Sequence, residues 1–228
     1  RYGGNASANI GLQSGGWRTV TTYSYRRDNE EDTDSRLVER LNNTGPNSWV
    51  EQIGREEEQD RSHTFRSDVD YRFAQGTSLG LEASVSLSRD DETGRSEYWE
   101  YSGPRTPDNR TDHYLRLLDN SSSDERFDGR LNFSHEFSED HTLDAQVRYD
   151  RDLEGEDGVY NIYGFQNGDR RSSPRDQEVD VVNEDEQDGA LELDYSRSLG
   201  NVSLETGYKG TLRRLDSDQT YEDRTTVF

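Results

Sequence analysis

A serine in the sequence G-T-S-L-G at 76–80 is the first residue that could do chemistry. The pattern matches the nucleophile elbow of hydrolases, which requires a strand, a sharp turn and then a helix. After Ser78, however, apolar and polar residues alternate with the period of a strand. The spacing therefore predicts a hairpin turn here and no catalytic serine.

Two histidines lie in contexts that suggest catalysis or metal binding. His135 and Glu136 begin a zinc H-E-x-x-H motif, but Glu139 stands where the second histidine should be. His113 follows Asp112 and could pair with an acid, as in barrel proteases, yet such a neighbour is expected by chance among 49 acids. We predict that the chain is not an enzyme and has no catalytic, cofactor-binding or metal-binding residues.

Acidic runs are the most prominent charged feature of the chain. They lie at 28–32, 56–60 and 184–188. Carboxylate oxygens are the ligands that Ca²⁺ prefers, but no complete calcium loop with its glycine and terminal glutamate is present. We expect solvated acidic loops with at most weak Ca²⁺ binding.

The composition excludes several classes of function. The net charge of −22 argues against nucleic-acid binding, because a phosphate backbone would be repelled. The absence of cysteine excludes disulfide scaffolds and thiolate chemistry. Only 27% of the residues are apolar, close to the range of disordered chains, but aromatic residues reach 10% and the apolar residues alternate.

This alternation predicts strands with one apolar and one polar face. Eight such strands form four hairpins, each around a tight turn of three or four residues near 15, 75, 139 and 199. The predicted strands lie at 5–13, 17–26, 63–73, 79–88, 127–137, 143–150, 191–196 and 202–212. Long polar connections at 27–62, 89–125 and 152–188 join the hairpins, although a short stretch at 37–41 could extend a strand.

Short turns that alternate with long connections are typical of a transmembrane β-barrel. We predict an all-β, antiparallel up-and-down barrel with short periplasmic turns and long acidic outer loops. The lipid-facing side chains are predicted to be Leu79, Leu81, Val85, Leu131, Phe133, Leu143, Ala145 and Val147. A lumen-facing charged wall is predicted from Arg66, Asp68, Asp70, Arg72, Glu82, Asp128, Arg130, Asp144, Arg148 and Asp150. Opposite charges across the ladder should hold this wall together, with selectivity for solutes as an alternative role.

Aromatic residues near the predicted strand ends agree with the interfaces of a bilayer. Trp17 and Phe73 lie near short turns, whereas Tyr23, Tyr25 and Tyr149 lie near long connections. A soluble β-sandwich or meander with an aromatic core is the alternative, and a disordered acidic tail is a further one. The recurrence of short turn and long connection favours the barrel.

The direction of the strands predicts that the chain is one stretch of a larger barrel. The first strand runs into a short turn, so Arg1 lies at the outer end, and so does the end of the eighth strand near Leu212. We therefore expect residues 1–228 to form a single barrel segment of eight or nine strands without a plug domain. Residues 216–228 should start another outer loop or a ninth strand.

Several strands resemble the barrel of TonB-dependent receptor-like outer-membrane proteins. The similar stretches lie at 3–9, 16–18, 23–27, 130–134, 143–149 and 204–210. The resemblance covers most strands and little of the connections. It implies a barrel of about 22 strands with a plug, and energised uptake of a scarce metal chelate, glycan or peptide. No ligand-binding residue is carried over.

The same resemblance implies the surroundings of the chain. The outer membrane of a Gram-negative bacterium is the expected location, with the lipid bilayer and lipopolysaccharide as neighbours. The TonB machinery and a surface lipoprotein are implied as partners through parts outside this chain. The alternative is a structural or adhesive surface β-protein without transport, including a soluble acidic β-sheet protein adapted to salt.

Overall fold

Long antiparallel strands account for most of the computed structural model, which describes residues 1–74, 76–166 and 168–225. The strands are β1 (Tyr2–Ser14), β2 (Trp17–Arg40), β3 (Ser48–Ala74), β4 (Thr77–Ser102), β5 (Arg110–Ser138), β6 (His141–Gln166), β7 (Asp169–Arg170), β8 (Asp176–Leu199) and β9 (Val202–Thr225). The sheet follows chain order from β1 to β9, except that the two-residue β7 pairs only with β6. The prediction of an all-β, antiparallel up-and-down fold is confirmed.

The four predicted hairpin turns are present, and they are tighter than expected. Two residues separate the paired strands at 15–16, 75–76, 139–140 and 200–201, although Gln75 lies outside the described residues. Glycine supports three of these turns with positive φ: 57° at Gly15, 82° at Gly76 and 66° at Gly200. Side chains with a Cβ disfavour this conformation, so glycine fits the turns.

The prediction of long structureless connections was wrong. β2 and β3 pair without interruption from Trp17 opposite Tyr71 to Arg40 opposite Ser48, which leaves only 41–47 as a loop. The second connection shrinks to 103–109 with a single 3₁₀ turn at Pro107–Asn109, and the third to 167–175 with β7. The hydrogen bonds of a sheet join backbone groups and do not depend on the side chains. A strand can therefore continue into a charged segment in which apolar and polar residues no longer alternate.

The last strand also differs from the expectation for the tail. Residues 216–225 continue β9 and pair with β8 as far as Thr225 opposite Asp176. They therefore form neither a new loop nor a further strand. Residues 226–228, including the terminal Phe228, lie outside the described residues.

Cross-strand pairing divides the side chains between two faces. Ile10, Thr21, Ser67 and Ala83 are successive partners across the first four strands, and the same row continues to Leu212 in β9. This apolar face holds odd-numbered residues in β2 to β6 and in β8, and even-numbered residues in β1 and β9. The remaining strand residues form the polar face, because successive side chains point to opposite sides.

One exposed sheet replaces the enclosed core of a globular domain. Leu115 is the one buried apolar side chain among the described residues, with 1% of its surface exposed. β1 and β9 are exposed along nearly all of their length, and each pairs with a single strand. Within the described ranges, no helix has the length and apolarity needed to cross a bilayer.

The turn at Gly76 should tolerate a side chain poorly. The Gly76 carbonyl accepts a 2.7 Å hydrogen bond from the Glu136 amide, and a Cβ on Gly76 would lie 2.6 Å from the Glu136 carbonyl oxygen. Gly200 also has a positive φ and nothing within 4 Å of its Cβ position. We expect Gly200→Ala to lower the free energy of unfolding by about 1 kcal/mol and Gly76→Ala by about 2–4 kcal/mol.

Urea unfolding of the refolded chain measures both variants. Gly200→Ala is the matched control, because it introduces the same methyl group at a positive φ without the contact to β5. Equal losses in the two variants would contradict the role given to that contact.

Candidate functional site

All ten residues of the predicted charged wall lie on the polar face, in the half of the sheet near the short turns. The register differs from the expected alternation of charge, because several direct partners have the same sign. Asp68 is opposite Glu82, and Arg130 is opposite Arg148. Within this wall, Glu82 opposite Arg130 is a direct pair of opposite charges, with 3.9 Å between the carboxylate and the guanidinium.

Other ion pairs in the wall join neighbouring rows. Arg66 contacts Asp68 two residues along its own strand at 3.3 Å and Glu82 on the next strand at 3.8 Å. Arg148 likewise contacts Asp150 on its own strand at 2.6 Å. Basic groups of one row therefore lie next to acidic groups of the adjacent row, which offsets the repulsion within the rows. Most of these side chains are partly solvated, so each pair contributes little to stability.

All eight side chains of the predicted lipid-facing set lie on the apolar face. They form continuous rows across the central strands, such as Leu81, Leu131, Val147 and Leu191. Leu81, Leu131 and Val147 remain between 41% and 47% exposed, because no second layer of the described chain covers this face. Their contact with lipid stays a prediction.

Aromatic side chains border the apolar rows at both ends. On the side of the short turns, ring contacts link Trp17 to Tyr71 at 5.5 Å and Phe137 to His141 at 4.3 Å. We call this the turn-side girdle, which comprises Trp17, Tyr71, Phe73, His135, Phe137, His141 and Tyr195. The loop-side girdle comprises Tyr23, Tyr25, His63, Phe127 and Tyr149. The two girdles enclose the apolar zone.

Beyond the charged wall, the polar face becomes densely acidic. Asp28, Asp60 and Asp90 are direct partners across β2, β3 and β4, and so are Glu30, Glu58 and Glu92 two residues farther out. A similar row of acids crosses β5, β6 and β8. We call these residues the carboxylate belt, which comprises Asp28, Glu30, Glu58, Asp60, Asp90, Glu92, Asp124, Glu154 and Glu184.

Crowding of the carboxylates favours the protonated form of several belt members, whereas a hydrogen bond from Arg26 lowers the pKa of Asp28. Burial, followed by hydrogen bonding to and repulsion by Asp60, raises the pKa of Asp90 to about 7. Burial and the neighbouring Glu56 raise the pKa of Glu92 to about 7 in the same way. Both effects disfavour the ionised form. The Oδ2 atom of Asp90 is buried without a hydrogen-bond partner, as expected where acids face acids.

Two groups of carboxylates have the spacing that could hold a cation. The first is Glu58, Asp60 and Asp90, and the second is Asp124, Asp152 and Glu154, with ligand atoms within 4.8 Å of one another. A hard ion such as Ca²⁺ would find carboxylate oxygens in either group. Exposed acids often cluster without an ion, so the expected weak Ca²⁺ binding stays a prediction.

The alternation of apolar residues did not reveal the carboxylate belt. Its members fall in segments that were predicted as solvated loops, because the residues between them on the other face are mostly polar as well. In β3, for example, Glu58 and Asp60 lie on one face and Glu57 and Gln59 on the other. The available clue was the equal length of the acidic runs at 28–32 and 56–60, which lie on consecutive strands.

The other motifs of the sequence fall within the sheet. Ser78 is followed by strand β4 and not by a helix. His135 forms a 2.7 Å hydrogen bond with the Thr77 hydroxyl. His113 bonds Glu97 at 2.7 Å, and its ring stacks on Phe165 with centroids 3.8 Å apart. The geometry gives both histidines a partner within the sheet, and the absence of enzymatic activity stays a prediction.

Comparison with known proteins adds one finding. Residues 135–227 match the Outer membrane protein beta-barrel family. The match supports an outer-membrane β-barrel protein. It includes the end of β5 and all of β6 to β9, where the apolar and polar faces are both present. No curated protein matches the chain.

The raised pKa values predict a pH-dependent stability. Between the ordinary values of about 4 and the folded values of about 7, Asp90 and Glu92 retain protons that the unfolded chain releases. Stability should therefore fall as the pH rises through this window. The double variant Asp90→Asn and Glu92→Gln should flatten that slope and stabilise the chain at pH 8.

Urea midpoints between pH 4 and pH 8 test this expectation. The control is Glu139→Gln with Asp140→Asn, which removes the same charge from an exposed turn at the opposite end of the sheet. If the control changes the pH dependence of stability as much as the belt variant does, the raised pKa values of Asp90 and Glu92 are not its cause.

Proposed function

We propose that the chain forms part of the wall of a TonB-dependent receptor-like transporter in the outer membrane of a Gram-negative bacterium. The proposed cargo is a scarce solute, namely a metal chelate, a glycan or a peptide. The observation that carries the membrane part of the proposal is the apolar zone between the two aromatic girdles. The resemblance of the strands to receptor barrels supports the transport part.

The height of the apolar zone suits a bilayer. Trp17 and Tyr25 mark its two borders on β2, and Tyr71 and His63 mark them on β3. Eight residues of strand correspond to about 27 Å along the chain at roughly 3.4 Å per residue. With the tilt of about 40° that is usual in barrels, this becomes roughly 20 Å, close to the apolar band of about 25 Å in such proteins.

The opposite face has the character of a wet lumen. The charged wall lies directly behind the apolar zone, because the two sets of residues alternate along the same strands. Lipid could not solvate those ions, whereas water in a channel could. The carboxylate belt lies farther along the same face, where its field would attract cations and repel anions before they reach the wall.

A structural or adhesive surface protein is the second candidate. The length of the strands favours it, since β3 and β5 continue far beyond the loop-side girdle as a charged sheet. Such an extension would present a large surface outside the membrane. This second candidate includes a soluble β-protein adapted to salt. An exposed apolar zone of bilayer height is not expected in such a protein.

Membrane insertion tests the apolar zone directly. Leu131→Arg puts a charge in the middle of the apolar face and should cost about 2–4 kcal/mol of folding free energy in phosphatidylcholine vesicles. Asn132→Arg adds the same charge one residue away on the polar face and should insert nearly as well as the unmodified chain. Equal insertion of the two variants would exclude the membrane-spanning arrangement.

Uptake by cells tests the transport part separately. The bacterium that carries the gene and a deletion strain should be compared with labelled ferrioxamine B (a cationic iron chelate), maltohexaose and a pentapeptide as probes. We expect at least a tenfold loss of uptake of one probe in the deletion strain, and the same loss in wild-type cells after collapse of the proton-motive force. Unchanged uptake of all three, together with normal insertion, would favour the structural or adhesive protein.

A further inference from the structure

A row of three arginines crosses the apolar face next to the loop-side girdle. Arg27 is the direct partner of Arg61, and Arg61 is the direct partner of Arg89. The preceding row on the same face contains Tyr25 and His63, which belong to the girdle. The arginine row (Arg27, Arg61 and Arg89) therefore marks the position where the apolar zone ends.

The arginine row has more positive charge than its neighbours neutralise. Side chains of direct partners have Cβ atoms about 4.5–5.5 Å apart, and like charges in this position destabilise a sheet. Asp91 is the acid that contacts the row, at 2.8 Å from Arg61 and 3.0 Å from Arg89. Arg27 donates a 3.4 Å hydrogen bond to the Asn29 side chain, which is uncharged. Two of the three guanidinium groups thus share one carboxylate, so the row could accept a further anion.

The carboxylate belt cannot supply the missing negative charge. Asp28, Asp60 and Asp90 are directly adjacent to the arginines in the chain, so their side chains lie on the opposite face. The arginines themselves are accessible, with 43% of the Arg61 side chain and 62% of the Arg89 side chain exposed. A ligand that approaches the apolar face would meet cations only partly neutralised by Asp91.

We propose that the arginine row binds the phosphate headgroup of an anionic lipid at the border of the membrane. This proposal rests on the proposed function, because the row lies at an interface only if the apolar zone faces lipid. Guanidinium groups bind phosphate through paired hydrogen bonds, which makes arginine suited to this ligand. Three of them on adjacent strands match a headgroup that presents more than one pair of phosphate oxygens.

The surroundings of the row favour a lipid over free phosphate. A lipid bound there would place its acyl chains along the apolar zone and its headgroup at the arginines. Leu87 lies beside His63 in the preceding row and offers apolar contact to the glycerol or sugar region of a lipid. Free phosphate would gain the ionic contacts alone, and these are weakened by salt.

Lipid binding to the refolded chain in dodecyl maltoside micelles tests the proposal. The probe is diphosphoryl lipid A, with dioleoylphosphatidylcholine as the neutral comparison and inorganic phosphate as a competitor. We expect the triple variant R27Q/R61Q/R89Q to bind diphosphoryl lipid A at least tenfold more weakly than the unmodified chain. A chain with all three arginines replaced by lysine should fall between the two, because lysine keeps the charge and loses the paired hydrogen bonds.

The matched control is R66Q/R130Q/R148Q, which removes the same charge from the polar face. It should bind diphosphoryl lipid A like the unmodified chain. The single variant R89Q disturbs one exposed side chain and should lower affinity about threefold, so it tests the row even if the triple variant does not refold. Equal weakening by both triple variants would overturn the proposal, because total charge and not the row would then set the affinity.

Three further outcomes separate the sources of failure. Displacement of lipid A by low-millimolar inorganic phosphate would overturn the lipid assignment and indicate a simple phosphate site. Normal insertion into phosphatidylcholine vesicles without preference for diphosphoryl lipid A would overturn the lipid-binding role of the arginine row and leave the proposed function intact. Equal insertion of Leu131→Arg and Asn132→Arg into those vesicles would overturn the proposed function and this inference together.

Discussion

Cross-strand pairing is the constraint on which the other features of the structure depend. Two residues that pair directly across neighbouring strands lie on the same face of the sheet. The register of each strand pair therefore determines whether the apolar side chains of all strands lie on one face. A shift by one residue between β4 and β5 would move Leu131 and Phe133 to the charged side and Arg130 to the apolar side. The apolar zone, the charged wall, the carboxylate belt and the arginine row all rest on this pairing.

The pairing also explains why charge is organised in rows. Acids that alternate with other residues on neighbouring strands become direct partners once the strands pair, as Asp60 and Asp90 do. In the charged wall, adjacent rows of opposite sign compensate one another, and Arg66 contacts acids along and across the strands. In the carboxylate belt, rows of acids follow one another, so protonation relieves the repulsion. The same geometry therefore yields a wall with ion pairs between its rows and a belt in which Asp60 and Asp90 face each other.

The sequence predicted the fold class and the hairpins, because apolar alternation is strong near the short turns. The prediction failed in the segments where apolar and polar residues no longer alternate. The run at 56–60 was predicted as a loop, yet its backbone pairs on both sides. Register beyond the apolar zone follows from hydrogen bonds that begin at the turns, and single-strand patterns do not contain it. The partnership of Arg27 with Arg61 became visible only with the register.

The exclusive pairing of neighbouring long strands has a consequence for how such a sheet can change in evolution. Each hairpin enters and leaves the sheet at the same end, so adding or removing one preserves the direction and the faces of all other strands. A lone strand would reverse the direction of everything that follows it. The hairpin is thus the natural unit of duplication, and the circumference of a wall built this way can grow in steps of two strands.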